Sequence, residues 1–397
     1  MRLAERAKNI SPSPTLAIDA RAKKMIAAGE KVVNFGAGEP DFDTPEHIRE
    51  AAIAAIRAGM TRYTPVAGTM QLRQAIVDKL RNDNGLDYRP EEIVVSAGAK
   101  HSLYNAMQVL LQPGDEVILP APYWVSYLEQ IKLAGAVPVI VQTRQENGFK
   151  LTVEELLSVV NRRTRMVIIN SPGNPTGAVY TREELSALGH AVLEHGLIVI
   201  SDEIYEKLLY DGLEHVSIAS LSPALKEQTV VINGMSKAYA MTGWRIGYAA
   251  APAPVAKAMA DLQSHSTSNP TSIAQAASVA ALTGTQEPVG EMVEEFRRRR
   301  DYMLERLQAI PGINCNRPGG AFYLFPSIDG YIGRQYKDHT IKGATDLAGI
   351  LLDEVKVAVV PGVAFGDDRC FRLSYATSME NIREGLDRIE QVLKEIK

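Results

Sequence analysis

Cysteine is almost missing from this 397-residue chain, which has only Cys315 and Cys370. They lie far apart and form no C-x-x-C pair, which leaves no disulfide framework or cysteine zinc site and suggests two inert thiols. The seven histidines form no H-E-x-x-H or comparable ligand pair, so no metal is expected. No run of about 18 uncharged apolar residues occurs, which argues against a spanning helix. Met1 to Ile10 lacks an apolar signal core, so the cytoplasm is the expected location. Positive charge is not in excess either. The 43 Lys and Arg face 47 Asp and Glu, and a formal net charge of -4 gives no general pull toward nucleic acid or an anionic membrane. There is no G-x-x-x-x-G-K-[ST] loop, and Gly36-Ala-Gly-Glu-Pro-Asp lacks the third glycine of a dinucleotide loop. Internal repeats and low-complexity segments are also missing.

The composition that remains, 46% hydrophobic and 23% charged, is that of an ordinary globular protein. The length exceeds a usual single domain of roughly 100 to 200 residues. The one basic run, Arg297 to Arg300, follows Glu294 and Glu295 at helical i,i+4 spacing (Glu294 with Arg298, Glu295 with Arg299) and reads as a solvated helix face. From about residue 90 to 265, short β-branched runs alternate with helical patterns. The runs start at Ile93, Glu116, Val137, Met166, Leu197, Val230 and Arg245. The helical patterns include Lys100 to Leu111, Tyr123 to Ala134, Val153 to Val160 and Arg182 to Glu194. This alternation predicts an α/β fold, a mostly parallel sheet covered by helices on both faces. A helix is expected near Glu46 to Ala58. The region after about residue 290 reads as α+β, with strands at Ala321 to Phe325, Val357 to Val360 and Cys370 to Tyr375 and helices at Ala344 to Glu354 and Met379 to Ile396. The expected division is an N-terminal arm (1–14), a small domain from 15–45 and 289–397, and a large domain from 46–288.

In an open α/β sheet, ligands bind beyond the carboxyl ends of the strands, so the residues after each run carry the functional information. After Ile93-Val-Val, Gly98, Ala99 and Lys100 open a helix, either as a phosphate-holding N-terminus or as a plain small-residue start. Asn170-Ser-Pro-Gly-Asn174-Pro-Thr-Gly177 is a rigid turn that either presents the Asn174 amide or is purely structural. Asp202, in Ser201-Asp-Glu-Ile-Tyr205, ends a buried run and needs a partner, functional or structural. Lys237 follows Asn233-Gly-Met-Ser236 amid small and apolar residues. Poor solvation there eases loss of its proton, as an imine-forming amine requires.

Tyr63, Gly98 to Lys100, Trp124, Asn174, Asp202, Tyr205, Ser236-Lys237, Arg245 and Arg372 occur in an order and spacing that resemble fold-type I pyridoxal 5'-phosphate (PLP) enzymes. The resemblance covers nearly the whole chain. It is closest to the class I aminotransferases of the bacterial aspartate aminotransferase type, through Gly38-Glu-Pro-Asp-Phe-Asp-Thr-Pro, Pro122-Tyr-Trp124, Asn174-Pro-Thr-Gly, Ser236-Lys-Ala-Tyr-Ala-Met-Thr-Gly-Trp-Arg-Ile-Gly-Tyr and Arg372-Leu-Ser-Tyr-Ala-Thr. It implies a large domain with a mostly parallel seven-stranded sheet, a small α+β domain and a homodimer with shared active sites. By the same resemblance, Lys237 carries PLP as a Schiff base and transfers the Cα proton, and Asp202 pairs with the pyridinium nitrogen. Tyr205 and Asn174 bond the phenolic oxygen, and Trp124 stacks on the ring. Ser236, Arg245, Gly98, Ala99 and Lys100 hold the phosphate, joined by Tyr63 of the other subunit. Arg372, with Gly38 and Asn174, clamps the α-carboxylate. Lys100 and Thr15 match the pattern that reads a distal carboxylate. The implied reaction passes an amino group from aspartate to 2-oxoglutarate, with prephenate as a further substrate.

One position departs from the pattern. Many relatives carry a phosphate-binding serine three residues before the lysine, where this chain has Gly234. Two rivals remain at this level. One is another PLP reaction on the same fold, an elimination or decarboxylation, or an aminotransferase of alanine or aromatic specificity. The other is a non-catalytic ligand sensor, for which Arg2 to Ser13 leaves no room for a DNA-binding module.

Overall fold

The β-branched runs pair edge to edge into one sheet. In the computed structural model, which describes residues 1–12 and 14–397 without the side chains of Pro14, Leu16 and Asp19, seven strands form it. They are β1 (Ile93–Ser96), β2 (Glu116–Ala121), β3 (Val137–Gln142), β4 (Thr164–Asn170), β5 (Ile198–Asp202), β6 (Thr229–Gly234) and β7 (Gly247–Ala250), in the spatial order β1-β7-β6-β5-β4-β2-β3. Only β7 runs antiparallel to its neighbours, β1 and β6; all other pairs are parallel. Strand periodicity sends alternate side chains to opposite faces. Val230 and Ile232 therefore pack with Leu103, Met107 and Met259 on one face, while Val231 packs with Leu72, Ile76 and Ala277 on the other. The helices Ala99–Leu110 and Ala253–Ser264 cover the first face. Met70–Asn84, Ser272–Thr283 and Arg182–Glu194 cover the second.

The run expected to begin at Arg245 becomes a strand only at Gly247, because Arg245 takes a left-handed conformation (φ 57°) that interrupts extended backbone. The change of direction lets its guanidinium donate to Thr242 O at 2.9 Å and Ala97 O at 3.3 Å.

The N-terminal segment joins the C-terminal one. Val33–Asn34 pairs in parallel with Val357–Ala358, and Val33 and Phe35 share a core with Phe322, Leu351, Leu386 and Ile389. Beside them lies a three-stranded antiparallel sheet of Val360–Pro361, Phe371–Ser374 and Tyr323–Leu324, with the helices Glu287–Gln308, Ala344–Val355 and Met379–Glu395. The strand expected over Ala321 to Phe325 is shorter because Ala321 has φ 58°.

The arginine run is only half a solvated face. Arg297 and Arg298 are paired at i,i+3 with Glu294 and Glu295 on the outside. Arg299 is buried and reaches Glu295 and Asp41, and Arg300 is fully enclosed on Asp211 and Asp301. At 3.6 residues per turn, four successive side chains cannot share one face. Among the described residues, no helix is long and apolar enough to cross a membrane.

Candidate active site

The carboxyl ends of β4, β5 and β6 open into one cleft of about 480 Å³. Twelve sequence-predicted residues line it: Thr15, Gly38, Ala99, Lys100, Trp124, Asn174, Asp202, Tyr205, Ser236, Lys237, Arg245 and Arg372. Gly98 lies just behind its wall, against Arg245. Tyr63 is the exception. It does not line the cleft of its own chain and is 91% exposed.

Asp202 is the last residue of β5 and is buried. Burial pushes its carboxyl up to about 6, against the hydrogen bonds from Tyr127 and the Ile204 amide. Lys237 follows β6, whose Ile232 is the register partner of Asp202. It is half-buried, and its amine donates to Gly38 O at 2.5 Å. Desolvation brings this amine down to about 8. Glu39 opposes the shift, and the charges of Arg372 and Arg245 add to it. A neutral amine is therefore accessible near physiological pH, as a nucleophile or proton carrier needs.

Arg372, buried on the strand Phe371–Ser374, donates to Asn174 Oδ1 at 3.0 Å and Gly36 O at 2.8 Å. Its Nε is buried and has no hydrogen-bond partner among the described residues. An enclosed guanidinium with an unused donor suits an incoming carboxylate. Asn174 is itself set by the turn, since its backbone N–H donates to Asn170 Oδ1 at 2.8 Å while Asn170 Nδ2 donates to Asp202 O at 2.9 Å.

At the other end of the cleft the groups suit a phosphate. Gly98 caps the helix Ala99–Leu110 with φ 85°, and a Cβ there would stand 2.3 Å from Arg245 Nη2. The first-turn amides of the helix, the Ser236 hydroxyl and Arg245 thus converge beside backbone that only glycine allows to come so close. Aldehyde-reactive amine, carboxylate for a ring nitrogen, indole and phosphate cradle together match the donor set that PLP requires.

The Lys100 amine lies 5.0 Å from the Trp124 ring centroid. Desolvation, then the charge of Arg245, lowers its basicity, and a bound anion would relieve both effects.

Several contributors escaped the sequence reading. Tyr127 donates to Asp202 Oδ2 at 2.6 Å, and Tyr323 shares a 2.9 Å hydrogen bond with Tyr205. Thr242 donates to Glu39 at 2.7 Å. Tyr127 had a signal, because it stands three residues after Trp124 and falls on the same helix face. Behind Asp202, Glu203, Glu206 and His215 come within 4.8 Å of one another. Lys79 already pairs with Glu206 and His215 with Glu203, so these charges are met without an ion.

Residues 30–389 match the family described as aminotransferase class I and II. The chain is 53% identical to an aspartate aminotransferase of Geobacillus stearothermophilus over 394 residues, 99% of each chain. It is 46% identical to an aspartate/prephenate aminotransferase of Nitrosomonas europaea, over 99% of this chain and 100% of that one. The crystal structure of an aspartate aminotransferase from Rhizobium meliloti superposes with a TM-score of 0.97 at 46% identity, covering 100% of both chains. Site geometry, fold and relatives agree: the chain belongs to the class I and II aminotransferases, enzymes that depend on PLP.

Proposed function

We propose that this enzyme passes the amino group of L-aspartate to 2-oxoglutarate, giving oxaloacetate and L-glutamate, in two half-reactions of ping-pong type. One observation carries the reading. The cleft holds the desolvated amine of Lys237 together with Arg372 and Lys100, two cationic side chains that suit the two carboxylates of a dicarboxylic substrate. Relatives named as aspartate aminotransferases support the same choice of substrate.

When bound, PLP supplies a ring that draws off the electron pair left at the substrate Cα. In this reading Lys237 Nζ would hold the cofactor as an imine and, once the substrate amine has displaced it, would be the free amine placed to carry the Cα proton. Asp202 would pair with the ring nitrogen and keep its proton there. Tyr205 and Asn174 would bond the phenolic oxygen, and Trp124 would stack on the ring. Ser236, Arg245 and the amides that follow Gly98 would hold the phosphate, with Tyr63 reaching in from a second subunit. Arg372, helped by Asn174 and Gly38, orients the α-carboxylate. The amine of Lys100, with Thr15, takes the distal one.

The reading extends to a homodimer with shared sites. It also keeps the small domain of 15–45 and 289–397 against a large domain of 46–288, supported by the common core of Val33, Phe35 and the C-terminal residues. Two buried, unpaired thiols support a cytoplasmic place of work. Prephenate as a second substrate is favoured by the Nitrosomonas relative's name.

The specificity assignment is tested by Lys100→Ala. Losing one charge-assisted contact should lower kcat/KM for aspartate and 2-oxoglutarate by about 2 kcal/mol, roughly thirtyfold, and leave alanine and phenylalanine nearly unchanged. Steady-state assays across these donors decide the matter, and equal losses for acidic and neutral donors would remove Lys100 from the distal subsite.

A further inference from the structure

The two oxygens of Asp202 are engaged separately, Oδ2 by Tyr127 Oη at 2.6 Å and Oδ1 by the Ile204 amide at 3.2 Å. Tyr127 belongs to the first turn of the helix Val125–Leu133 and is buried. Its ring meets Trp124 edge-on at 5.3 Å. Among the described residues, Asp202 is the only hydrogen-bond partner of its hydroxyl. Burial, and then the charge of Asp202, pushes the phenol well above its ordinary range, so Tyr127 stays a donor.

The other charged groups near Asp202 are accounted for. Glu203 is turned to Ser201, Ser217 and His215. Lys237 is directed to Gly38, and the Tyr205 hydroxyl to Tyr323. Asn170 Nδ2 and the Ser171 amide hold the Asp202 carbonyl. Tyr127 is therefore the side-chain donor that acts on the carboxylate itself.

We propose that Tyr127 is a positioning residue for the reaction: its hydrogen bond fixes the Asp202 carboxylate in one orientation and keeps the proton shared with PLP on the ring nitrogen. This rests on the PLP reading above. The shared proton has two possible homes. Either the ring nitrogen holds it and faces a carboxylate, or the carboxyl holds it and faces a neutral nitrogen. A hydroxyl donor stabilises the ionised oxygen more than the protonated one, so it favours the first arrangement. Burial already draws the Asp202 carboxyl up against the Tyr127 hydrogen bond, so losing that bond acts in the same direction as burial, toward the carboxylic acid. The loss should shift the ratio of the two arrangements about ten- to a hundredfold that way. A neutral ring nitrogen accepts charge poorly, so proton removal at Cα slows while carboxylate binding at Arg372 is untouched.

Tyr127→Phe removes one oxygen and leaves the ring packing. The test uses holoenzyme loaded with PLP carrying nitrogen-15 in the ring. The wild-type signal should be that of a protonated nitrogen, and the Tyr127→Phe signal should move toward neutral pyridine. kcat should fall at least tenfold with little change in KM for aspartate. Asp202→Asn should give the neutral signal, and adding Tyr127→Phe to it should change nothing further, which shows that Tyr127 acts through Asp202. A purely structural role would lower thermal stability or PLP affinity and leave the nitrogen signal protonated, and that result overturns the proposal. So would an additive effect in the Asp202→Asn background, which also decides the case if the single variant folds poorly. Wild-type protein that fails to bind labelled PLP would instead refute the cofactor reading.

Discussion

A serine three positions before Lys237 would offer the phosphate one more hydroxyl, yet Gly234 stands there. A Cβ at Gly234 would lie 2.8 Å from Gly247 Cα and from Ile246 O, and a Cβ at Gly247 would lie 2.1 Å from the Ala99 amide nitrogen. Three layers of backbone, from β6 through β7 to the start of the phosphate helix, are thus stacked with no room for side chains. This close approach brings Arg245 and the helix amides together. Gly234→Ser should therefore weaken PLP binding and lower stability by about 1 to 3 kcal/mol, the usual range for overpacking. Calorimetric unfolding and PLP titration check both. Tighter PLP binding at unchanged stability would show that the serine fits and serves as a phosphate ligand.

At the scale of elements, the strands of the main sheet were legible because β-branched runs of period-two or continuous apolar character are bounded by turn residues. The residues after them became legible through their ordered combination, which resembles a known family; taken singly, a lysine or an aspartate at a strand end reads equally well as structural. Tyr323 was not, since a tyrosine in an apolar segment reads as core, and Tyr127 offered only its spacing from Trp124; the fold shows what each hydroxyl meets. The helix Ser272–Thr283 is built of small residues on most sides and packs between Glu46–Arg57 and Met70–Asn84, so it shows no clear apolar stripe. The helix Glu287–Gln308 misled in a different way, because a run of like charges conceals which members are buried. Arg300 donates to Asp211, Asp301 and Pro318 O from a fully enclosed position, whereas Arg297 lies outside. Arg300→Ala should cost about 3 kcal/mol, through a cavity and a buried carbonyl left without its donor. Arg297→Ala should leave the unfolding midpoint unchanged. Denaturant unfolding of the two holoenzymes separates them, and similar midpoints would mean that burial on this helix does not set the cost.

The whole molecule leaves one site residue unused within its own chain. Tyr63 is 91% exposed, but the segment that carries it is firmly held. Ser272 Oγ donates to Met60 O at 2.6 Å, Gln275 Nε2 to Thr64 Oγ1 at 3.0 Å, and Gln263 Nε2 to Val66 O at 2.9 Å, while the Thr69 amide donates to Gln275 Oε1 at 2.8 Å. Ile56, Met60 and Met70 are exposed on or beside the same stretch. An exposed ring on a firmly held segment is open to a second subunit, as the proposed shared site requires. If the sites are shared, each is made from Lys237 of one subunit and Tyr63 of the other. Tyr63→Phe chains retain Lys237, and Lys237→Ala chains are inactive but retain Tyr63. A heterodimer of the two then has one site with both lesions and one with neither. With equal amounts and random exchange, half of the dimers are mixed and about a quarter of all sites are intact. Activity at limiting PLP should therefore rise on mixing, above the sum of the separate preparations, toward roughly a quarter of wild type. If Tyr63 served its own chain, no heterodimer would hold an intact site, and mixing would give the sum and nothing more. Subunit exchange followed by sizing and assay distinguishes the two arrangements, and a fully active monomer in the sizing step would rule out both the dimer and the shared site.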